Sequence, residues 1–158
     1  MHSNIIFLTD ENGRKSDFDI NGLENTIYPC DIGMESVAEY IGGSVEVPEY
    51  IGNIPVEPKD HSIELTKSKI EEYFSKRYKK YVENYSKMTL SDFCSVDEYD
   101  VHQTIERAYS VYIVPVYENG TYENAETLDS FLRKVYRFAL DDCQKRTYYI
   151  LGCIGYHW

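Results

Sequence analysis

The chain is predicted to be an α+β protein, and three observations carry that prediction. Its first thirty residues read as short strands separated by Asn-Gly turns, its middle carries a helical period, and Ser110 to Trp158 reads as strand, turn, helix, strand. Runs of strands followed by runs of helices favour α+β over a doubly wound parallel sheet. At 158 residues the chain is long enough to close one hydrophobic core, so residues 1–158 are expected to form a single domain. Its parts would be an N-terminal antiparallel β-meander, middle helices, and a C-terminal strand-helix-strand unit.

Asn4 to Asp10 (NIIFLTD) opens with an apolar run, and Asn12-Gly13 follows between Glu11 and Arg14, a pair that would face across a hairpin. Phe18 and Ile20 then alternate with Asp17 and Asp19, the period of two that puts carboxylates on one face of a strand. Asn21-Gly22 repeats the turn signal, and Leu23 to Tyr28 completes the meander before Pro29. Gly33 to Ile41 suits a short helix ended by Gly42-Gly43. From Tyr40 to Pro58 the chain reads YIGGSVEVPE and then YIGNIPVEP. Pro48, Pro55 and Pro58 exclude a central strand, so an extended edge segment or a surface loop is expected here.

Ser62 to Lys87 holds the longest helical pattern. Ile63, Ile70, Tyr73, Phe74, Tyr78, Tyr81, Tyr85 and Met88 fall in one arc, which predicts a buried stripe. Lys69, Lys76, Lys80 and Lys87 flank it, with Glu72 and Glu83 placed four residues ahead of Lys76 and Lys87. Thr89-Leu-Ser-Asp92 and Ser95-Val-Asp-Glu98 both have capping-box form, the second predicting a helix from about Val96 to Tyr109. Ser110 to Tyr117 is β-branched and aromatic, Asn119-Gly120 supplies a tight turn, and Asn124 can cap a helix burying Leu128, Phe131, Leu132, Val135, Phe138, Ala139 and Cys143. Tyr148 to Ile154 is apolar on nearly every residue, as in a strand covered on both faces.

Charge and composition narrow the function classes. The formal charge is −11 with a pI near 4.8, which argues against binding nucleic acid through phosphates and for a basic partner surface. The charge is uneven. Residues 1–64 hold thirteen acidic against three basic side chains, 65–90 three against seven, and 91–158 eleven against six. Sixteen tyrosines offer contact area with few rotors and a polar tip, the character of a recognition surface.

The chemistry-bearing clusters are few. Glu98, His102 and Glu106 repeat at four-residue steps and could charge an imidazole or join a metal site, although such ladders are commoner on solvated faces. Cys30 follows a strand and Pro29, where a nucleophile could sit; packing is the commoner role of cysteine. Cys30, Cys94, Cys143 and Cys153 form no C-x-x-C pair, so zinc is not expected. Gly152-Cys-Ile-Gly155 has no helix after it and reads as close packing or a bulge, not a phosphate loop. No cofactor signature or bilayer-length apolar stretch occurs, and a cytoplasmic setting is expected.

The expectation that follows is a non-catalytic binding protein that neutralises a larger basic partner, a nucleic-acid mimic of the phage or immunity type. Asp17, Asp19, Glu24, Glu46 and Glu49 would supply the charge, with Tyr40 and Tyr50 as anchors. The alternative is a small-molecule site, catalytic or merely binding, between the C-terminal strands and the lysine-flanked helix, holding Lys76, Lys80, His102 and His157. A homo-oligomer is a third possibility.

Overall fold

The computed structural model describes residues 2–20, 40–95, 111–140 and 144–157. Its elements are β1 (His2–Thr9), β2 (Tyr40–Val45), β3 (Tyr50–Ile51), β4 (Ile54–Pro55), β5 (Ser62–Leu65), α1 (Lys67–Lys87), α2 (Leu90–Ser95), β6 (Val111–Pro115), β7 (Glu126–Thr127), α3 (Leu128–Lys134) and β8 (Arg146–His157). The α+β class holds. A six-stranded mixed sheet runs β2, β8, β1, β6, β7, with β5 also on β8, and β3 and β4 form a separate small hairpin. β8 is long enough to serve two partners on one edge: β5 meets residues 146–149 and β2 meets 153–157.

β1 lies between antiparallel β8 and parallel β6, so both its edges are paired, and a separate apolar cluster covers each of its faces. Ile5 and Phe7 point to one face with Val114, Val116 and Ile154; Ile6 and Leu8 point to the other with Ile63, Ile113, Ile150 and Cys153. A run of four consecutive apolar residues has this consequence, because a strand wet on one face alternates instead. The predicted hairpin after β1 is therefore corrected. Asp10 Oδ1 accepts from the backbone N–H groups of Asn12 (2.9 Å) and Gly13 (3.1 Å), and the chain enters a 3₁₀ turn at Gly13–Lys15. Gly13 serves close approach: a Cβ there would lie 1.8 Å from Thr9 Oγ1. Glu11 and Arg14 do meet, at 3.9 Å, but within this turn. Phe18 and Ile20 form no strand; they pack flat on the Ile5–Phe7 face. The rest of the expected meander, 21–28, lies outside the described residues, as do the predicted 96–109 helix and Cys30 and Cys143.

The end of the helix expected over Gly33 to Ile41 is corrected, since Tyr40, Ile41 and both glycines lie within β2, at an irregularity in its register between Ile41 and Ser44, while 33–39 lie outside the described residues. The expected extended edge segment is present in β2. Gly152 marks a bulge opposite Phe7 and Leu8, and Ile20 covers it so closely that a Cβ would come within 2.3 Å of Ile20 Cδ1.

The long helix begins five residues later than its pattern suggested. Ser62–Leu65 is strand β5, and Thr66 caps α1 by accepting from the Lys69 N–H at 3.3 Å. Of its predicted stripe, Ile63 is buried in β5 and Ile70 and Tyr73 in α1, with Phe74 packed beside them, whereas Tyr78 is 67% exposed. Glu83 and Lys87 pair as expected, at 2.5 Å. The Thr89–Asp92 capping box is formed: the Asp92 N–H donates to Thr89 Oγ1 (3.2 Å) and the Thr89 N–H to Asp92 Oδ2 (2.9 Å). Thr127, not Asn124, caps α3, accepting from the Ser130 N–H. α3 continues into a π-helical turn, Val135–Ala139, whose last carbonyl accepts from Arg146 Nε at 2.9 Å. No helix among the described residues is long and apolar enough to cross a membrane.

Candidate functional site

The hairpin of β3 and β4 is short, yet its geometry is tightly determined. The Val56 N–H donates to Glu49 O (2.9 Å) and the Glu57 N–H to Ser62 O (2.8 Å), closing the ends of the loop. Gly52 turns the hairpin with φ +63, and a Cβ there would lie 2.5 Å from Tyr73 Cε2. Ile51, Ile54 and Val56 enter the core on the face that carries α1 and α3. At the far end His61 takes the left-handed conformation, φ 52, while its carbonyl accepts from the Ile150 N–H at 2.8 Å. Pro48, Pro55 and Pro58 remove backbone freedom between these fixed points.

What this frame displays is a carboxylate-and-tyrosine surface. Glu46 and Glu49 are exposed, and Tyr50, 59% exposed, stands beside Glu49 at the rim of a shallow depression of about 290 Å³ with His61. Asp17 and Asp19 are exposed as well, but their segment packs through Phe18 and Ile20 on the opposite face of the sheet. The sheet therefore separates two groups of carboxylates that sequence reasoning placed together. Tyr40 pairs with His157 at the end of β2, its side chain lying outside the description, and Glu24 and His102 fall outside the described residues.

Beneath the hairpin lies a polar network that the sequence did not announce. Asp129, 5% exposed in the first turn of α3, accepts from the Tyr73 hydroxyl at 2.8 Å and from Arg77 Nη1, while Arg77 Nη2 donates to Tyr73 Oη at 2.7 Å. Burial, reinforced by the Asp129 charge, pushes the Tyr73 phenol well above its ordinary range. Arg77 is raised by its bonds to Asp129 and Tyr73 despite desolvation. The only sequence cue was the four-residue step from Tyr73 to Arg77; Asp129 is remote in the chain.

Lys76 and Lys80 are exposed, and neither lines the cavities found beside α1 among the described residues. The larger of these, about 500 Å³, opens between α1 and α3 with its π-helical continuation. A separate cleft of about 790 Å³ lies at the C-terminal ends of β1 and β6, with Phe131 and Tyr148 in its lining and Asp10, Asn12, Glu118 and Asn119 at its mouth. The two described cysteines differ: Cys94 is exposed, while Cys153 is 1% exposed and burial pushes its thiol up to about 12, which keeps it protonated. No group of three metal-ligating side chains occurs among the described residues. Comparison of the chain with protein-family models, curated proteins and solved structures yields no match to any of them.

Proposed function

We propose that this protein is a non-catalytic binding protein that neutralises a larger, basic protein partner, as phage anti-defence and immunity-type proteins do. The observation that supports it most is Tyr50, exposed in the first strand of a braced hairpin, with the exposed carboxylates Glu46 and Glu49 in the segment that leads into it. A rigid aromatic with neighbouring charges has the makings of an interface anchor, because little side-chain or backbone entropy is lost when it docks. The net charge of −11 would steer association with a cationic surface. Asp17 and Asp19, across the sheet, would join the contact only with a partner that wraps the sheet edge.

Immobilised protein exposed to extract of its native host tests the proposal. A basic protein retained by the wild type should be lost from the triple variant Glu46→Lys, Glu49→Lys, Tyr50→Ala, with retention weakening as salt rises. Undiminished capture by that variant would refute this face. The cleft at the ends of β1 and β6 supports a second reading, a small-molecule site, since ligands of sheets with parallel strands gather beyond the strands' carboxyl ends. Specific thermal stabilisation by one member of a nucleotide and metabolite panel, with no protein captured, would favour it.

A further inference from the structure

The groove between α1 and α3 differs in sign from the rest of the molecule. α1 holds seven basic and three acidic residues and 128–139 three and one, so these elements carry +6 within a chain of −11. Phe74 and Tyr78, one helical turn apart on α1, face Tyr136 across an apolar floor. Arg133 stacks on Phe74 (5.1 Å to the ring centre) and Arg137 on Phe138 (5.1 Å), and Phe138 is 65% exposed.

The pairing of the cations is uneven. Arg14, Lys69, Arg77, Lys87, Lys134 and Lys145 each reach a carboxylate. Arg133 and Arg137 meet none among the described residues, as is also true of Lys15, Lys59, Lys76, Lys79, Lys80 and Arg146; the two arginines differ from these in stacking on aromatic rings beside the groove. Glu71, the carboxylate in the groove, is engaged by the Tyr136 hydroxyl at 2.6 Å. Lining residues extend along α1 from Ile70 to Tyr81, a length of ~16 Å at the rise of an α-helix. That is the span of about three helical turns of a bound chain. Arginine and aromatic residues around an apolar trough are also the composition of interface centres.

We infer that this groove docks an acidic amphipathic segment of a protein partner, its apolar side on Phe74, Tyr78 and Tyr136 and its carboxylates on Arg133 and Arg137. The site is separate from the Tyr50 hairpin and of opposite charge preference, so it stands or falls independently of that surface. Three fluorescein-labelled synthetic 15-residue helices test it by anisotropy: one with leucine at helical spacing and glutamate elsewhere, its lysine counterpart, and an acidic scramble without the apolar stripe. The first should bind with micromolar Kd, the other two at least tenfold more weakly. Arg133→Glu/Arg137→Glu should reverse the preference toward the lysine helix, with far-ultraviolet circular dichroism unchanged because both side chains are exposed. Equal binding of stripe and scramble, or indifference to the double variant, would overturn the inference. So would a concentration-dependent mass in sedimentation that the double variant abolishes, since the occupant would then be a second copy.

Discussion

The Tyr73 hydroxyl and the Asp129 carboxylate, 56 residues apart in the chain, lie 2.8 Å from each other and join α1 to α3 beneath the β3–β4 hairpin. With Arg77 they form a closed triangle of hydrogen bonds in a place where both charged side chains are largely screened from water, at 15% and 6% exposure. Removing one member leaves the opposite charge desolvated without its partner, which is far costlier than removing both. Asp129→Ala is expected to destabilise the fold by about 3 kcal/mol, lowering the melting temperature by about 6–12 °C. Urea unfolding of the single variants and of Arg77→Met/Asp129→Ala checks this. The double variant should cost less than the two singles combined, and simple additivity would refute the coupling.

The hairpin's seat depends on Gly52, where both the positive φ and the Tyr73 ring forbid a side chain. Gly52→Ala is expected to cost about 2 kcal/mol, from a left-handed alanine together with displacement of Tyr73. His61, left-handed without being glycine, gives the converse result: His61→Gly should raise stability by up to about 1 kcal/mol. Urea midpoints at equal m-value report both, and opposite signs of the two shifts are the prediction.

Burial of the Cys153 thiol sets an alkaline limit. Its pKa rises from the ordinary value near 9 to about 12, so the folded state keeps a proton that the unfolded chain releases. That contribution is complete below pH 9 and is lost progressively as pH climbs from 9 to 12. Tyr73 acts in the same direction above pH 10. Cys153→Ala should therefore flatten the decline of unfolding free energy measured between pH 9 and 11, though not abolish it. An unchanged slope would contradict the assignment. Native protein should also present Cys94, and not Cys153, to a thiol reagent at pH 8.

Along α1 the cost of truncation should fall from one end to the other. Ile70 is 1% exposed and Val82 45%, so Ile70→Ala is expected to cost about 3 kcal/mol and Val82→Ala about 0.5 kcal/mol or less. Comparable losses at both positions would mean that the C-terminal half of the helix is buried after all.

Local chemistry made several features readable in one dimension. The apolar runs of β1 and β8, the turn at Gly120 with its φ of +79, the capping box of Thr89 and Asp92, and the glycine bulge at 152 are each written in neighbouring residues. The α+β class followed from their order. Partner choice was not so written. Asn12-Gly13 satisfies a hairpin rule equally well whether or not β1 pairs with the segment after it. β1 instead pairs with β6 and β8, more than a hundred residues away, which places it inside the sheet, where the clusters on either side bury both of its faces.

The same division runs through the sites. Periodicity marked an aromatic arc on α1 but not where the core stops covering it, which is decided by where α3 and the hairpin lie. Asp17 and Glu49 carry the same charge in sequence, and only the intervening sheet assigns their segments to opposite faces. Residue order determined which short segments could be strand, helix or turn, since those preferences act over a few bonds. The three-dimensional packing decided which distant side chains share a surface, since burial and charge pairing depend on distance in space and not along the chain.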